Sequence, residues 1–402
     1  MSNTKVLSSI KEVKNTNTIR LWRKGRQIMG RVLFAVDSFF QLIEATNLRI
    51  TVYKDDDADV AIYASTPNAK EITSRLNKSG LFTNCYFLNT SLVRCGSKYS
   101  AVEKAPKYFA YIGTLINPVS YTLKTLEISD LKYDKFLFSG YGALPECIFN
   151  AIRKINTNIE CFRFEDSYVS YTREYGKEKG GFRIKFEHIM HNLFHGANIE
   201  EYIKGYYFAE PGLVQVEFSY PILESPRINR QDKRLINLLN DVFGYNKVVD
   251  LYGEKFIFFE SGDSYFQKND EDVGFITELI RFVGKDNVLV KRHPRCVENR
   301  FERLGVHIAK NSSVPWELIQ LNKTMDGKVF ITTTSAAALS SAVYFGDDCK
   351  SILLYEGMKE KPASVTAVMR SYMKDFQKKY GDKTLYIPKD MNEFKKIIEE
   401  EV

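Results

Sequence analysis

The chain has 402 residues, 44% of them hydrophobic and 27% charged, which is a globular balance, too long for one core, and suited to two domains. Its net charge of +7 is a mild excess over 50 acidic residues, and no recognition motif accompanies it, so nucleic acid is not an expected partner. No apolar run approaches the ~20 residues of a membrane span, no signal-type leader opens the chain, and the six cysteines form no CxxC pair. A cytoplasmic protein with reduced thiols and no structural zinc is expected.

Residues 1–31 read as a basic arm, with Arg20, Arg23, Lys24, Arg26 and Arg31 interleaved with Leu21, Trp22, Ile28 and Met29. It is either a solvated basic helix or a peripheral contact for anionic headgroups. Residues 32–36 are an apolar run and predict a buried strand; the apolar spacing over 39–48 predicts a helix. A strand over 57–65 and a helix over 68–79 follow. Strands are expected at 108–112, 135–139 and 158–164, with a helix over 141–155. Strands alternating with helices predict a parallel sheet covered on both faces.

The stretch 171–228 breaks this rhythm. It carries a glycine- and lysine-rich run at 176–181, then His188, His191 and His195, then aromatics around 202–208, and reads as a loop, a helix and a connection between domains. The rhythm then resumes. Strands are predicted at 255–260, 287–291, 328–332 and 351–355, and helices at 272–283, 316–321, 335–344 and 392–400. The expected division is a first α/β domain over 32–228, connecting stretch included, and a second over 229–402. Two such domains facing each other enclose a cleft, where a ligand is expected.

Four segments carry candidate chemistry. At 288–294 an apolar strand runs into Lys291, Arg292, His293 and Pro294. Proline halts the ladder at the carboxyl edge of the sheet, where open α/β folds bind ligands. A histidine beside two cations there suits a phosphate or a leaving group, although an ordinary loop histidine has the same sequence. Because Lys291 and Arg292 alternate in direction, at most one faces a ligand.

The second segment is the strand end at 161–168, which delivers Glu165 and Asp166. One of the two can face a cleft as a general base for a hydroxyl, or both belong to a solvated turn. The third is the strand ending in Thr332, Thr333, Thr334 and Ser335, followed at once by an alanine-rich helix. Such a start binds anions through backbone N–H groups and hydroxyls, or it is simply a capped helix. The fourth is Pro315-Trp316-Glu317, a helix opening in which Glu317 accepts ribose hydroxyls or serves the helix dipole. A further strand end presents Ser261 and Gly262. His188, His191 and His195 share a helical face but lack a completing carboxylate, so no metal is expected. There is neither a Walker A loop nor a GxGxxG fingerprint.

The order of these segments resembles the bacterial sialyltransferases of glycosyltransferase family 52 and the related capsule polysialyltransferases, over roughly residues 32–355. Val36-Asp37-Ser38-Phe39-Phe40-Gln41 is similar to that family's opening strand and helix start, with Phe39 and Phe40 in place of its proline and leucine. Glu165-Asp166-Ser167 resembles its acidic motif, His293-Pro294 its His-Pro motif, and Thr334-Ser335 its Ser/Thr pair. Ser167 stands where the family has glycine, and a Cβ there restricts the turn.

The resemblance implies a GT-B architecture, two Rossmann-like domains with parallel sheets facing across a cleft, the second binding CMP. It implies metal-independent, inverting transfer of sialic acid from CMP-sialic acid, with no cofactor, to a glycan or glycolipid acceptor such as lipooligosaccharide or capsule. Glu165 is then the first choice of base and Asp166 the second. His293 serves the departing phosphate, Thr333, Thr334 and Ser335 bind it, and Glu317 holds the ribose. Lys291, Arg292, Pro294, Ser261 and Gly262 complete the donor side, and Ser38 and Gln41 line the acceptor side. A peripheral place on the inner membrane face and a homodimer are compatible with this reading. CMP-Kdo or a CDP-linked polyol as donor, and a glycan- or nucleotide-binding protein without a base, remain open beside it.

Overall fold

A computed structural model describes residues 30–63, 68–88, 112–114, 116–140, 143–173, 193–194, 198–245, 252–262, 269–293, 296, 298–310, 314–362 and 364–401. The basic arm up to residue 29, the run at 176–181, the three clustered histidines and Pro294 lie outside these residues. So does the strand expected at 108–112, except Ile112, which is helical. The chain forms two units. One takes the chain up to Asp166 with Glu174–Phe208 and Phe218–Pro226; the other takes Ser167–Arg173, Ala209–Glu217 and Arg227–Val402.

The first unit is built on seven strands: β1 (Arg31–Val36), β2 (Asp57–Ile62), β3 (Cys85–Phe87), β4 (Lys135–Phe138), β5 (Glu160–Phe164), β6 (Ile203–Phe208) and β7 (Ile222–Glu224). Its described helices include α1 (Phe39–Ile50), α2 (Ala69–Ser79), α3 (Pro118–Lys124) and α4 (Ala143–Arg153). The sheet order is β3-β2-β1-β4-β5-β6-β7, with every pairing parallel. A parallel strand covered on both faces has no solvent side, so β1 is apolar at every step from Val32 to Val36, all fully buried.

Two sequence expectations are corrected here. The stretch read as a connection contributes β6 and β7 to this sheet. Gly205 interrupts the β6 pattern because the Leu223 side chain of β7 occupies the place of its Cβ. Arg31, counted with the basic arm, instead opens β1. It pairs with Asp59 at 3.2 Å, Asp57 at 3.7 Å and Asp130, and its guanidinium lies over the Tyr133 ring, so it is spent inside the fold.

Glu44 on α1 is buried and accepts a hydrogen bond from Ser225 Oγ. Burial pushes its pKa up to about 7, against the hydrogen bonds of Ser225 and Asn47. A raised carboxyl pKa means the folded state favours the proton. The stability this group contributes is therefore present below its ordinary range near 4.5 and is lost as pH rises through about 7. Glu44→Gln keeps a neutral acceptor for Ser225. It is expected to raise stability at pH 8 by about 3 kcal/mol at most and by almost nothing at pH 4, read as the shift in the urea unfolding midpoint at the two pH values. Equal gains at both would show that the carboxyl does not titrate in this way.

The second unit begins with a piece of the N-terminal half, α5 (Tyr168–Thr172), and continues with α6 (Lys233–Phe243), β8 (Phe256–Phe259), α7 (Glu271–Val283), β9 (Val288–Lys291), β10 (His307–Ile308), α8 (Trp316–Asn322), β11 (Val329–Thr332), α9 (Ala337–Ser340), β12 (Lys350–Leu353), α10 (Ala367–Tyr380), β13 (Leu385–Tyr386) and α11 (Met391–Glu401). The sheet order is β10-β9-β8-β11-β12-β13, again all parallel. The Tyr168 and Tyr171 rings pack on Tyr372 of α10 at 5.9 and 5.4 Å. Glu210, buried, accepts from Arg227, from Lys379 and from the Tyr380 hydroxyl at 2.9 Å.

The helix expected over 335–344 is found in two parts, α9 and a π-helical turn at Ser341–Phe345. Gln320, buried on α8, bonds both Ser340 and Ser341, and Ser340 Oγ also returns to Ala337 O at 2.9 Å. Hydroxyls that bond back to the preceding turn loosen an α-helix locally, and a π-turn is the local outcome here. Among the described residues no helix is long and apolar enough to cross a membrane.

Candidate functional site

In a doubly wound sheet the strands on either side of the first one run to opposite edges, and the loops diverge there to leave a crevice. In the second unit that first strand is β8, flanked by β9 and β11. Three segments therefore emerge together: Glu260-Ser261-Gly262 after β8, Arg292-His293 after β9, and Thr333-Thr334-Ser335 after β11. Gly262 and His293 meet most closely. A Cβ built on Gly262 would lie 2.6 Å from His293 Cε1 and 2.8 Å from Nδ1. The imidazole thus rests on the bare Cα of this glycine, and only glycine leaves it that place.

The cations next to His293 are tied to the backbone. Lys291, buried, donates from Nζ to Val314 O at 3.3 Å. Arg292 donates from Nη2 to the carbonyls of Cys296 and Glu298 at 2.8 and 2.7 Å, holding the loop beyond the strand. Cys296 Sγ lies 3.5 Å from Ser261 O; burial, with Glu260 nearby, pushes this thiol up to about 11, so it stays protonated at neutral pH.

The hydroxyl segment is internally ordered. Thr332 Oγ1 donates to Phe259 O at 2.9 Å and accepts from Ser335 N at 3.2 Å. Ser335 Oγ accepts from Ala337 N at 3.3 Å. The Tyr168 hydroxyl donates to Thr334 O at 3.0 Å. Thr333 is fully buried, and its Oγ1 has no hydrogen-bond partner among the described residues. A buried hydroxyl left unbonded costs about 1–3 kcal/mol, and this one stands at the switch point. Glu317 sits half-buried in the first turn of α8. The start of that helix is fixed by Trp316, whose ring packs edge-on against Phe259, Phe330 and Tyr252 at 4.8, 5.5 and 5.6 Å.

The first unit repeats the plan. Its first strand, β1, lies between β2 and β4; two residues beyond its end comes Ser38, the N-cap of α1, whose Oγ accepts from Gln41 N at 3.2 Å. Two residues beyond β5, Asp166 receives both candidate acceptor-side groups on one oxygen: Gln41 Nε2 at 2.7 Å and Ser38 Oγ at 3.2 Å. Gln41 Oε1 in turn accepts from Asp37 N at 2.7 Å. Asp166 is half-exposed, whereas Glu165 is 0% exposed and its N–H continues the ladder to Tyr207 O at 3.1 Å. Ser167 takes φ −177°, extended backbone that any residue adopts, and caps α5, so the serine in place of glycine introduces no strain.

Sequence reasoning missed Ser139. It follows β4, is buried, and its Oγ has no hydrogen-bond partner among the described residues. The signal was present: Ser139-Gly140 after β4 echoes Ser261-Gly262 after β8. Also missed were Glu260, whose carboxylate accepts the His293 N–H at 3.2 Å, and Tyr168. Among the described residues no cluster of histidine, cysteine and carboxylate side chains could hold a metal ion.

No protein-family model matches the sequence, and no curated protein matches it significantly. Solved structures do match in fold. A glycotransferase of kitacinnamycin superposes with a TM-score of 0.53 at 10% identity, over 92% of this chain and 90% of that one. An α/β-galactoside α-2,3-sialyltransferase from Photobacterium phosphoreum superposes with a TM-score of 0.52 at 11% identity, over 90% of this chain and 99% of that one. The two parallel-sheet α/β units match the GT-B architecture of such glycosyltransferases.

Proposed function

We propose that this chain is a glycosyltransferase that moves sialic acid from CMP-sialic acid to a hydroxyl of a glycan acceptor, as the resemblance to glycosyltransferase family 52 implies. The observation that carries the reading is the His293 imidazole resting on Gly262 at the sheet edge of the second unit, where the Glu260-Ser261-Gly262 segment lies between that of His293 and the Thr333–Ser335 hydroxyls. Three segments at one sheet edge offer a hydrogen-bond donor and hydroxyls to a phosphate, which is a preorganised site for charge that grows as CMP departs.

Asp166 is the base in this reading, ahead of Glu165. It is half-exposed and held by Ser38 and Gln41, whereas Glu165 is enclosed. Asp166 takes the proton of the acceptor hydroxyl as that oxygen bonds to the anomeric carbon. The bond from that carbon to the phosphate oxygen breaks, and CMP leaves with the electron pair. His293 donates a hydrogen bond to the leaving phosphate, the Thr333–Ser335 segment supplies hydroxyls, and Glu317 accepts from the ribose. Attack opposite to departure inverts the anomeric centre, and no step calls for a metal or cofactor. A cell-surface glycan precursor as acceptor fits the basic arm, which would bring the chain to an anionic cytoplasmic membrane face.

A donor screen tests this. Release of CMP from CMP-sialic acid is expected, with none from CMP-Kdo or a CDP-linked polyol. Turnover of CMP-Kdo without turnover of CMP-sialic acid would sink the donor assignment. CMP binding with no turnover of any donor would mark a nucleotide-binding protein instead.

A further inference from the structure

His293 is the last residue of its segment with a backbone N–H to give, since proline follows and β9 has already ended at Lys291. Its N–H goes to Glu260 Oε2 at 3.2 Å and its carbonyl accepts Cys296 N at 2.9 Å. The Glu260 side chain is 0% exposed, so its charge must be met within the protein. Arg300, 7% exposed, meets it: Nε and Nη2 lie 3.4 and 3.3 Å from Oε1.

The same guanidinium grips Asp272 with two parallel bonds of 2.9 Å and reaches Asp270 at 3.2 Å. Such forked pairing is the strong and directional form of the contact. Arg303 lies 3.3 Å from the second Asp270 oxygen, and Arg292 Nε lies 3.7 Å from Glu260 Oε2. Carboxylates and guanidiniums thus balance three to three. Burial opposes the Arg300 charge, but the hydrogen bonds and charges of Asp272, Asp270 and Glu260 outweigh it and raise its pKa. Asp270 and Asp272 flank the start of α7, which is seated in the core by Val273, Phe275, Ile276 and Leu279.

We infer that Glu260 and Arg300 are positioning residues, an ionic brace from the start of α7 to the backbone of His293 that sets the imidazole over Gly262. This rests on the donor-side role of His293 given above. Gly262 gives the ring its space, and the brace fixes the backbone from which the ring projects. A displacement of about 1 Å at such a group costs on the order of 100-fold in rate.

Two substitutions separate positioning from plain stability. Glu260→Asp keeps a charge for Arg300 but falls short of the His293 N–H. Glu260→Gln keeps an acceptor within reach but loses the charge. The brace predicts that Glu260→Asp loses about 100-fold in kcat and Glu260→Gln less, while melting temperatures fall in the opposite order. Losses that follow the melting temperatures would overturn the proposal. In a His293→Ala background, Glu260→Asp is expected to cost nothing more, and additive losses would also overturn it. The side-chain ¹⁵N–¹H resonances of His293 should move in Glu260→Asp and hold in Glu260→Gln. That readout needs no turnover, so it decides the brace even if CMP-sialic acid proves not to be the donor; unmoved resonances in Glu260→Asp would overturn it.

Discussion

Asp166→Asn is expected to cut turnover by about 10²–10⁴-fold, the contribution of a positioned general base, with CMP affinity and melting temperature close to those of the parent chain. Asparagine still offers a carbonyl oxygen to Ser38 Oγ and Gln41 Nε2, which both bond Oδ1 of the aspartate, so the local frame survives while the proton acceptor is lost. Glu165→Gln is the contrasting change. Its side chain is enclosed and its backbone belongs to the ladder with β6, so its cost should fall on stability, with turnover within about tenfold of the parent. Single-turnover rates and thermal melts on the two variants decide the matter. A folded Glu165→Gln that cannot turn over, beside an active Asp166→Asn, would transfer the role to Glu165.

The second large effect concerns the imidazole. His293→Ala should lower kcat by about 10²–10³-fold, as loss of one donor aimed at developing charge does. Gly262→Ala should produce a loss of the same size although no functional group is removed. Gly262 does not have positive φ, so alanine suits the backbone, and the added methyl lands on the ring of His293. The ring is the mobile end of a side chain and yields before the strand does. The two losses should therefore not add: the double variant should match His293→Ala alone. A fully active Gly262→Ala would mean that the imidazole works from elsewhere or not at all.

Much of this was readable from residue order, for identifiable reasons. Strands buried on both faces read as unbroken apolar runs, and β1, β8 and β11 were visible for that reason. β6 was hidden because Lys204 and Gly205 interrupt its run, and Gly205 is explained only by the Leu223 side chain of β7. The two-residue strands β10 and β13 carry no pattern of their own. They exist through register with a neighbour, as in the pairing of His307 with Leu289. The edge positions of His293 and the four hydroxyls were legible because a strand end can be located without knowing what surrounds it. Their supports were not. Glu260 and Arg300 are far apart in sequence, and nothing local marks them as partners. Likewise, the different settings of Glu165 and Asp166 depend on Tyr207 and Gln41, each distant along the chain.

The interleaving of the chain has a consequence for biosynthesis and for protein engineering. The second unit needs Tyr168, Tyr171 and Glu210 from the earlier part of the chain, and their partners Tyr372, Lys379 and Tyr380 all lie on α10. During vectorial synthesis these early segments emerge from the ribosome long before α10 exists to receive them. They must wait unpaired through the translation of more than a hundred residues. A fragment beginning near residue 229 would carry the reverse defect, an α10 whose aromatic face has lost its cover. Expression truncations that keep 167–173 and 209–217 attached therefore have better prospects than a cut at the apparent midpoint.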